Sequence, residues 1–99
     1  MTRTATWKHA ERMVAKWFGG FRTGCNGESR RDVEHETLSI EVKHRKTLPA
    51  WLHNAMAQAR SEAEGRTPIV VLHENGMPYG ASMVVISLSD FVDLYGEVS

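Results

Sequence analysis

The alternation across Leu38-Ser39-Ile40-Glu41-Val42-Lys43 constrains this chain more than any other stretch. Apolar Leu38, Ile40 and Val42 interleave with polar Ser39, Glu41 and Lys43, the period-two pattern of a strand buried on one face. The polar face ends in a carboxylate and an ammonium pointing the same way. Asp32-Val33-Glu34-His35 reads as a partner strand, joined by a tight turn near Glu36-Thr37. Such a hairpin brings Asp32 back beside Glu41 and Lys43. Two hard oxygen ligands and an amine at one strand end suit a phosphate bound through Mg²⁺.

Other elements follow from spacing. Residues 4 to 18 carry Trp7, Ala10, Val14, Ala15 and Phe18 at helical intervals, and Gly19-Gly20 supplies the stop. Glu11 falls on that apolar stripe. Burying a carboxylate is costly unless it is paired or holds a metal. Glu11 therefore either pairs with Lys8 or Arg12 at the stripe's edge or serves the site suggested by the hairpin. Phe21-Arg22-Thr23 reads as a short first strand, and residues 24–31 as a polar, basic loop. In that region Arg22, Arg30 and Arg31 either touch a phosphate backbone or keep the loop soluble.

A second helix is expected from Pro49 to Glu64, closed by Gly65, with Leu52, Ala55, Met56, Ala59 and Ala63 as its core face. Gln58 shares a neighbouring face with Trp51, and either looks toward the site or is an ordinary exposed glutamine. The continuous apolar run 68–73 predicts a central strand covered on both faces. With strand 38–43 and the helix between, it forms a β-α-β unit, which requires parallel strands and a right-handed crossover. Residues 83–88 read as a last strand. Ser87 and Asp90 then open a short helix to Tyr95, ended by Gly96. The order is αβββαββα, one domain over residues 1–99 with a single mixed sheet flanked by helices.

Charge is balanced overall, with twelve Lys and Arg against twelve acids, but not along the chain. Residues 1–66 hold all twelve cations and eight acids, a net +4, and residues 67–99 hold four acids and no Lys or Arg, a net −4. A basic half beside an acidic half is compatible with phosphate binding on one face, and equally with solvated charges on ordinary helices. No apolar run approaches the roughly 20 residues of a bilayer span, and no apolar segment follows the N-terminal charges as a secretory leader requires. Cys25 is the only cysteine, which excludes an intrachain disulfide and a CxxC pair. A reducing, cytoplasmic location is expected, host cytoplasm if the source is viral. His9, His35, His44, His53 and His73 show no HxxxH or HExxH spacing on a predicted helix. Trp7, Trp17 and Trp51 follow helical faces and read as core or dimer contacts.

Glu11-Arg12 in the first helix, Gly24 before the loop, Asp32, Ile40-Glu41-Val42-Lys43 and Gln58-Ala59 stand in a definite order. That ordered set resembles the PD-(D/E)XK nuclease superfamily, and within it the small archaeal-type and phage Holliday junction resolvases. The resemblance covers roughly residues 5 to 73. It departs from the pattern at Arg31, where the signature has proline. It implies an α/β, restriction-endonuclease-like αβββαβ core.

The resemblance also implies roles. Glu11, Asp32, Glu41, Lys43 and Gln58 would be the catalytic set. Asp32 and Glu41, completed by the backbone carbonyl of Val42, would coordinate Mg²⁺ or Mn²⁺, with Glu11 at a second ion or a metal-bound water. Lys43 would orient the attacking water and Gln58 the water or a phosphate oxygen. Arg22, Arg30, Arg31, Arg45 and Lys46 would contact DNA. The activity implied is phosphodiester hydrolysis at branched DNA, in DNA recombination, by a homodimer whose apolar patch comes from Trp51, Met83 or the final helix. Two other readings stay open: a nuclease on flap, nicked or linear DNA, and a catalytically silent DNA-binding module of the same fold.

Overall fold

A computed structural model describes residues 3–19, 21–22 and 33–98. Its elements are α1 (Arg3–Phe18), β1 (Phe21–Arg22), β2 (Val33–Glu34), α2 (Ala50–Ser61), β3 (Val70–Leu72), a 3-10 turn (Tyr79–Ala81), β4 (Met83–Val85) and α3 (Leu88–Val98). The chain divides into two compact units, Met1–Lys46 and Thr47–Ser99. The architecture is mixed α/β. The described strands form two separate two-stranded sheets, β1-β2 and β3-β4, where a single mixed sheet was expected.

In the first unit α1 turns the expected stripe inward, with Glu11 and Ala15 buried and Ala10, Val14 and Phe18 half-buried. The helix ends at Gly19, whose φ of 69° is the left-handed geometry glycine adopts without steric cost, and whose N–H donates to Lys16 O at 3.2 Å. The helix packs on β1 and β2. Those strands run antiparallel, with Phe21 opposite Glu34 and Arg22 opposite Val33. On its other side Val33 forms an antiparallel bridge to Ile40. Val33 thus pairs with β1 on one side and with Ile40 on the other, and its exposure is 0%.

The turn between Val33 and Ile40 falls at Glu36-Thr37, as the sequence predicts, and is held by an imidazole. His35 Nδ1 accepts the N–H groups of both Thr37 and Leu38 at 3.2 Å, which assigns the ring proton to Nε2. Phe18 meets the same ring edge-on at 5.9 Å, so the end of α1 packs on the turn. Beyond the turn, Leu38, Ile40 and Val42 are half-buried while Ser39, Glu41 and Lys43 are exposed. The period-two pattern survives, although among the described residues the only ladder contact in this stretch is at Ile40.

In the second unit Pro49 precedes α2 as its cap. Its ψ of 140° is extended, and its carbonyl accepts from Leu52 and His53 at 3.1 and 3.3 Å. Met56 is buried, and Leu52, Ala55 and Ala59 line the same half-buried face. The helix stops at Ser61, three residues before the expected Glu64. The Ser61 hydroxyl donates to Gln58 O at 2.8 Å, and Arg66 folds back so that Nε and Nη2 donate to Ala63 O and Glu62 O at 2.8 and 3.2 Å. Those donors satisfy carbonyls that another helical turn would have used. Gly65, at φ 84°, completes the reversal.

The helix α2 packs on β3, and β3 pairs antiparallel with β4 through Val70–Val85, Val71–Val84 and Leu72–Met83. The expected parallel pairing of β3 with the 38–43 segment is not among the described ladders. Nor is the apolar run covered on both faces: register partners Val71 and Val84 are each 57% exposed, whereas Val70, Leu72 and Val85 are half-buried. A run without alternation cannot distinguish one covered face from two. The β3–β4 connection is braced by His73, which stacks on Tyr79 at 4.1 Å and donates from Nε2 to Met77 O at 2.8 Å.

The β4 ladder ends at Val85, short of the expected 88, because Ser87 leaves it to cap α3. Ser87 Oγ accepts from Asp90 N at 3.3 Å and Ser87 O from Phe91 N at 2.9 Å. The cap was legible; the expected end was not. Gly96 stays helical and α3 runs on to Val98, with Phe91 and Tyr95 stacked one turn apart at 5.7 Å. No described helix is long and apolar enough to cross a membrane.

The burial of Val33 gives a direct check. Val33→Ala should lower stability by about 2 kcal/mol, from about 0.8 kcal/mol per lost methylene plus a cavity term. Val71→Ala, at an open face, should cost less than about 0.5 kcal/mol. Urea unfolding followed by circular dichroism would compare them.

Candidate functional site on the Glu41–Lys43 strand

Two exposed residues of the 38–43 segment face the same way because one strand residue separates them. Lys43 Nζ lies 3.0 Å from Glu41 Oε2, with the side chains 65% and 58% exposed. Between them Val42 turns to the half-buried side. At this exposure an ion pair contributes little to folding, typically about 0.2–1 kcal/mol. Both groups are open to water, and to a phosphate approaching from it.

Glu11 belongs to the same unit but to a different environment. It is 8% exposed on the inward stripe of α1, as its spacing predicts. A carboxylate at that depth keeps its charge only through partners.

Of the other expected site residues, Asp32, Arg30 and Arg31 lie outside the described residues, and Arg22 contributes backbone to β1. Asp32 is the chain neighbour of Val33, and Glu41 is the chain neighbour of Val33's bridge partner Ile40. Arg45 and Lys46 are exposed, with Arg45 Nη1 donating to His44 O at 3.3 Å. Gln58 is exposed on α2 in the second unit. The structure therefore brings Glu41 and Lys43 into contact and keeps Glu11 in their unit.

Among the described residues, no three His, Cys, Asp or Glu side chains gather in a metal-binding group. Glu41 offers a water-accessible carboxylate, and oxygen donors of this kind are what Mg²⁺ takes while retaining several waters.

One feature of this unit was not foreseen. Thr6, Trp7, His44 and Lys46 line a groove of about 500 Å³. Trp7 is 43% exposed, and Trp17 and Trp51 are likewise open, so of the expected core or dimer contacts these rings make no core within this chain. Lys8 Nζ stands 5.6 Å from the Trp7 ring centroid. The sequence signal was the basic run Lys43-His44-Arg45-Lys46, but its proximity to the start of α1 is a long-range contact that no local pattern reports.

No family model, curated protein or solved structure matches this chain.

If the Glu41–Lys43 pair is a reactive group and not a structural tie, its removal should leave the fold intact. Glu41→Ala, Lys43→Ala and the double variant should each unfold within about 1 kcal/mol of the wild type, with a coupling energy below that figure. A double-mutant cycle in urea measures both.

Proposed function

We propose that this chain is a metal-dependent endodeoxyribonuclease that hydrolyses phosphodiester bonds, with branched DNA as its substrate. The observation that carries the reading is the water-exposed Glu41–Lys43 pair on a half-buried strand, in one unit with the buried Glu11. An exposed pair with little to contribute to stability is free to be recruited by a phosphate. The chain order α1, β1, β2, the 38–43 segment, α2 and β3 also supports a restriction-endonuclease-like αβββαβ arrangement, the finer fold we propose.

In this reading Asp32 and Glu41, with the carbonyl of Val42, hold Mg²⁺ or Mn²⁺. A bound ion supplies positive charge at the scissile phosphate and acidifies a coordinated water. Lys43, released from Glu41, places its ammonium against the non-bridging oxygens, where charge accumulates in the transition state, and orients the attacking water. Glu11 binds a second ion or fixes a water through its carboxylate. Gln58 orients the water or a phosphate oxygen. Arg22, Arg30, Arg31, Arg45 and Lys46 hold the DNA backbone, and the product carries a 5′-phosphate.

Symmetric cutting of a four-way junction needs two active sites related by a two-fold axis. A homodimer fits that requirement, and the exposed Trp51, Met83 and Leu94 support an apolar contact for it. Sedimentation equilibrium should return twice the 11.1 kDa chain mass at micromolar concentration. A monomer there would remove the junction-resolving version.

The deciding experiment is cleavage of a labelled four-way junction beside a matched duplex, with Mg²⁺ or EDTA, by wild type and Glu41→Ala. Metal-dependent, symmetric nicks confined to the junction and lost in the variant are expected. Cutting of both substrates would keep the nuclease and discard the junction preference. Binding without cutting under any divalent ion would leave a catalytically silent DNA-binding module, a reading that the resting 3.0 Å ion pair also accommodates.

A further inference from the structure

The groove at the start of α1 combines groups that recur where nucleic-acid strands are held by their bases. Its described lining is an indole, an imidazole, a hydroxyl and an ammonium, from Trp7, His44, Thr6 and Lys46. No carboxylate is among them. Its volume, about 500 Å³, falls in the range of small-ligand sites, roughly 300–1,000 Å³. The Trp7 ring is 43% exposed, and the Lys8 ammonium stands 5.6 Å from its centroid. Lys43, Arg45 and Lys46 put three cations into four consecutive residues, all exposed.

An exposed indole is costly to leave in water. The cations beside it repel a basic partner and attract a polyanion. The ligand that satisfies both features offers a flat π-face and a phosphate a few ångströms away. Duplex DNA shows phosphates but keeps its base faces stacked inside. A single strand shows both, and strand-tracking grooves pair stacking side chains with backbone cations.

We propose that this groove binds an unpaired nucleotide of single-stranded DNA, its base against Trp7 and its phosphate on Lys46, with Lys8 as a second cation. The choice of DNA rests on the nuclease reading of the same unit; the groove's chemistry does not. In a branched substrate the groove would take the strand where pairing is interrupted.

The test is fluorescence anisotropy of a 5′-fluorescein oligothymidylate with the full chain in EDTA, so that binding is read without cleavage. Trp7→Leu keeps the apolar bulk and removes the ring; it should weaken binding about tenfold, the scale of one lost base–aromatic stack. Trp7→Phe should stay within about threefold of wild type. Lys46→Ala should reduce the slope of log affinity against log salt by about 0.7, one phosphate of a single strand. Trp17→Ala, an equally exposed tryptophan on the same helix outside the groove, should bind as wild type. Wild-type-like binding by Trp7→Leu, an equal loss in Trp17→Ala, or no binding by the wild type would overturn the proposal. The cleavage assay is read separately. Trp7-dependent binding by a chain that never cuts removes the nuclease and keeps the groove, and cutting with Trp7-independent binding does the reverse.

Discussion

The burial of Val33 is the constraint on which the first unit depends. It is laddered to Arg22 on one side and bridged to Ile40 on the other, beneath a helix that packs on β1 and β2. A side chain at 0% exposure in the middle of so small a sheet fixes the face that each flanking strand turns inward. A slip of one residue would exchange the faces, burying Glu41 and Lys43 and exposing Ile40 and Val42. The apolar contact at Val33 and the water-exposed ion pair are thus two consequences of one register. His35 reinforces it by closing the turn with two backbone hydrogen bonds while Phe18 packs on its ring.

What the sequence disclosed, it disclosed through periodicity and punctuation. The alternation over 38–43, the inward stripe of α1 with Glu11 on it, the core face of α2 and the Ser87 cap all depend on residues within a turn or two of each other. Local patterns report such things well. The antiparallel pairing of β3 with β4 was not legible, because Ile69-Val70-Val71-Leu72 carries no alternation to say how many faces are covered and strand pairing is a long-range choice. The ends of α2 and α3 were displaced for a related reason. Arg66 reaching back over the Glu62 and Ala63 carbonyls and Phe91 stacking on Tyr95 are side-chain contacts that accompany those ends and that local punctuation does not report.

The candidate site was legible to the same extent. Glu41 and Lys43 meet because two residues of an extended chain always share a face, and Glu11 is buried because three- and four-residue spacings place it with Ala15 and Phe18. Gln58 was assigned from order along the chain, and it stands on an exposed surface of the other unit. Order along the chain conveys distance only within an element. The Trp7 groove illustrates the converse, since its two sides come from residues 6–7 and 44–46, and neither side looks like a site alone.

The distribution of exposure within the first unit separates what holds the fold from what is available for chemistry. Val33, Ala15 and the half-buried Leu38, Ile40 and Val42 define the strands and their faces. Glu41, Lys43, His44 and Lys46 lie on the water side of the same backbone, where substitution costs little stability and a charge keeps its hydration until a ligand replaces it. Glu11 is the exception. A buried carboxylate carries a desolvation cost that an alanine or leucine on the same stripe would avoid. The rest of the stripe follows the rule that apolar residues go inward. Glu11 and Glu41 thus stand in opposite environments of one unit, one carboxylate on the inward stripe of α1 and the other on the water side of the 38–43 segment.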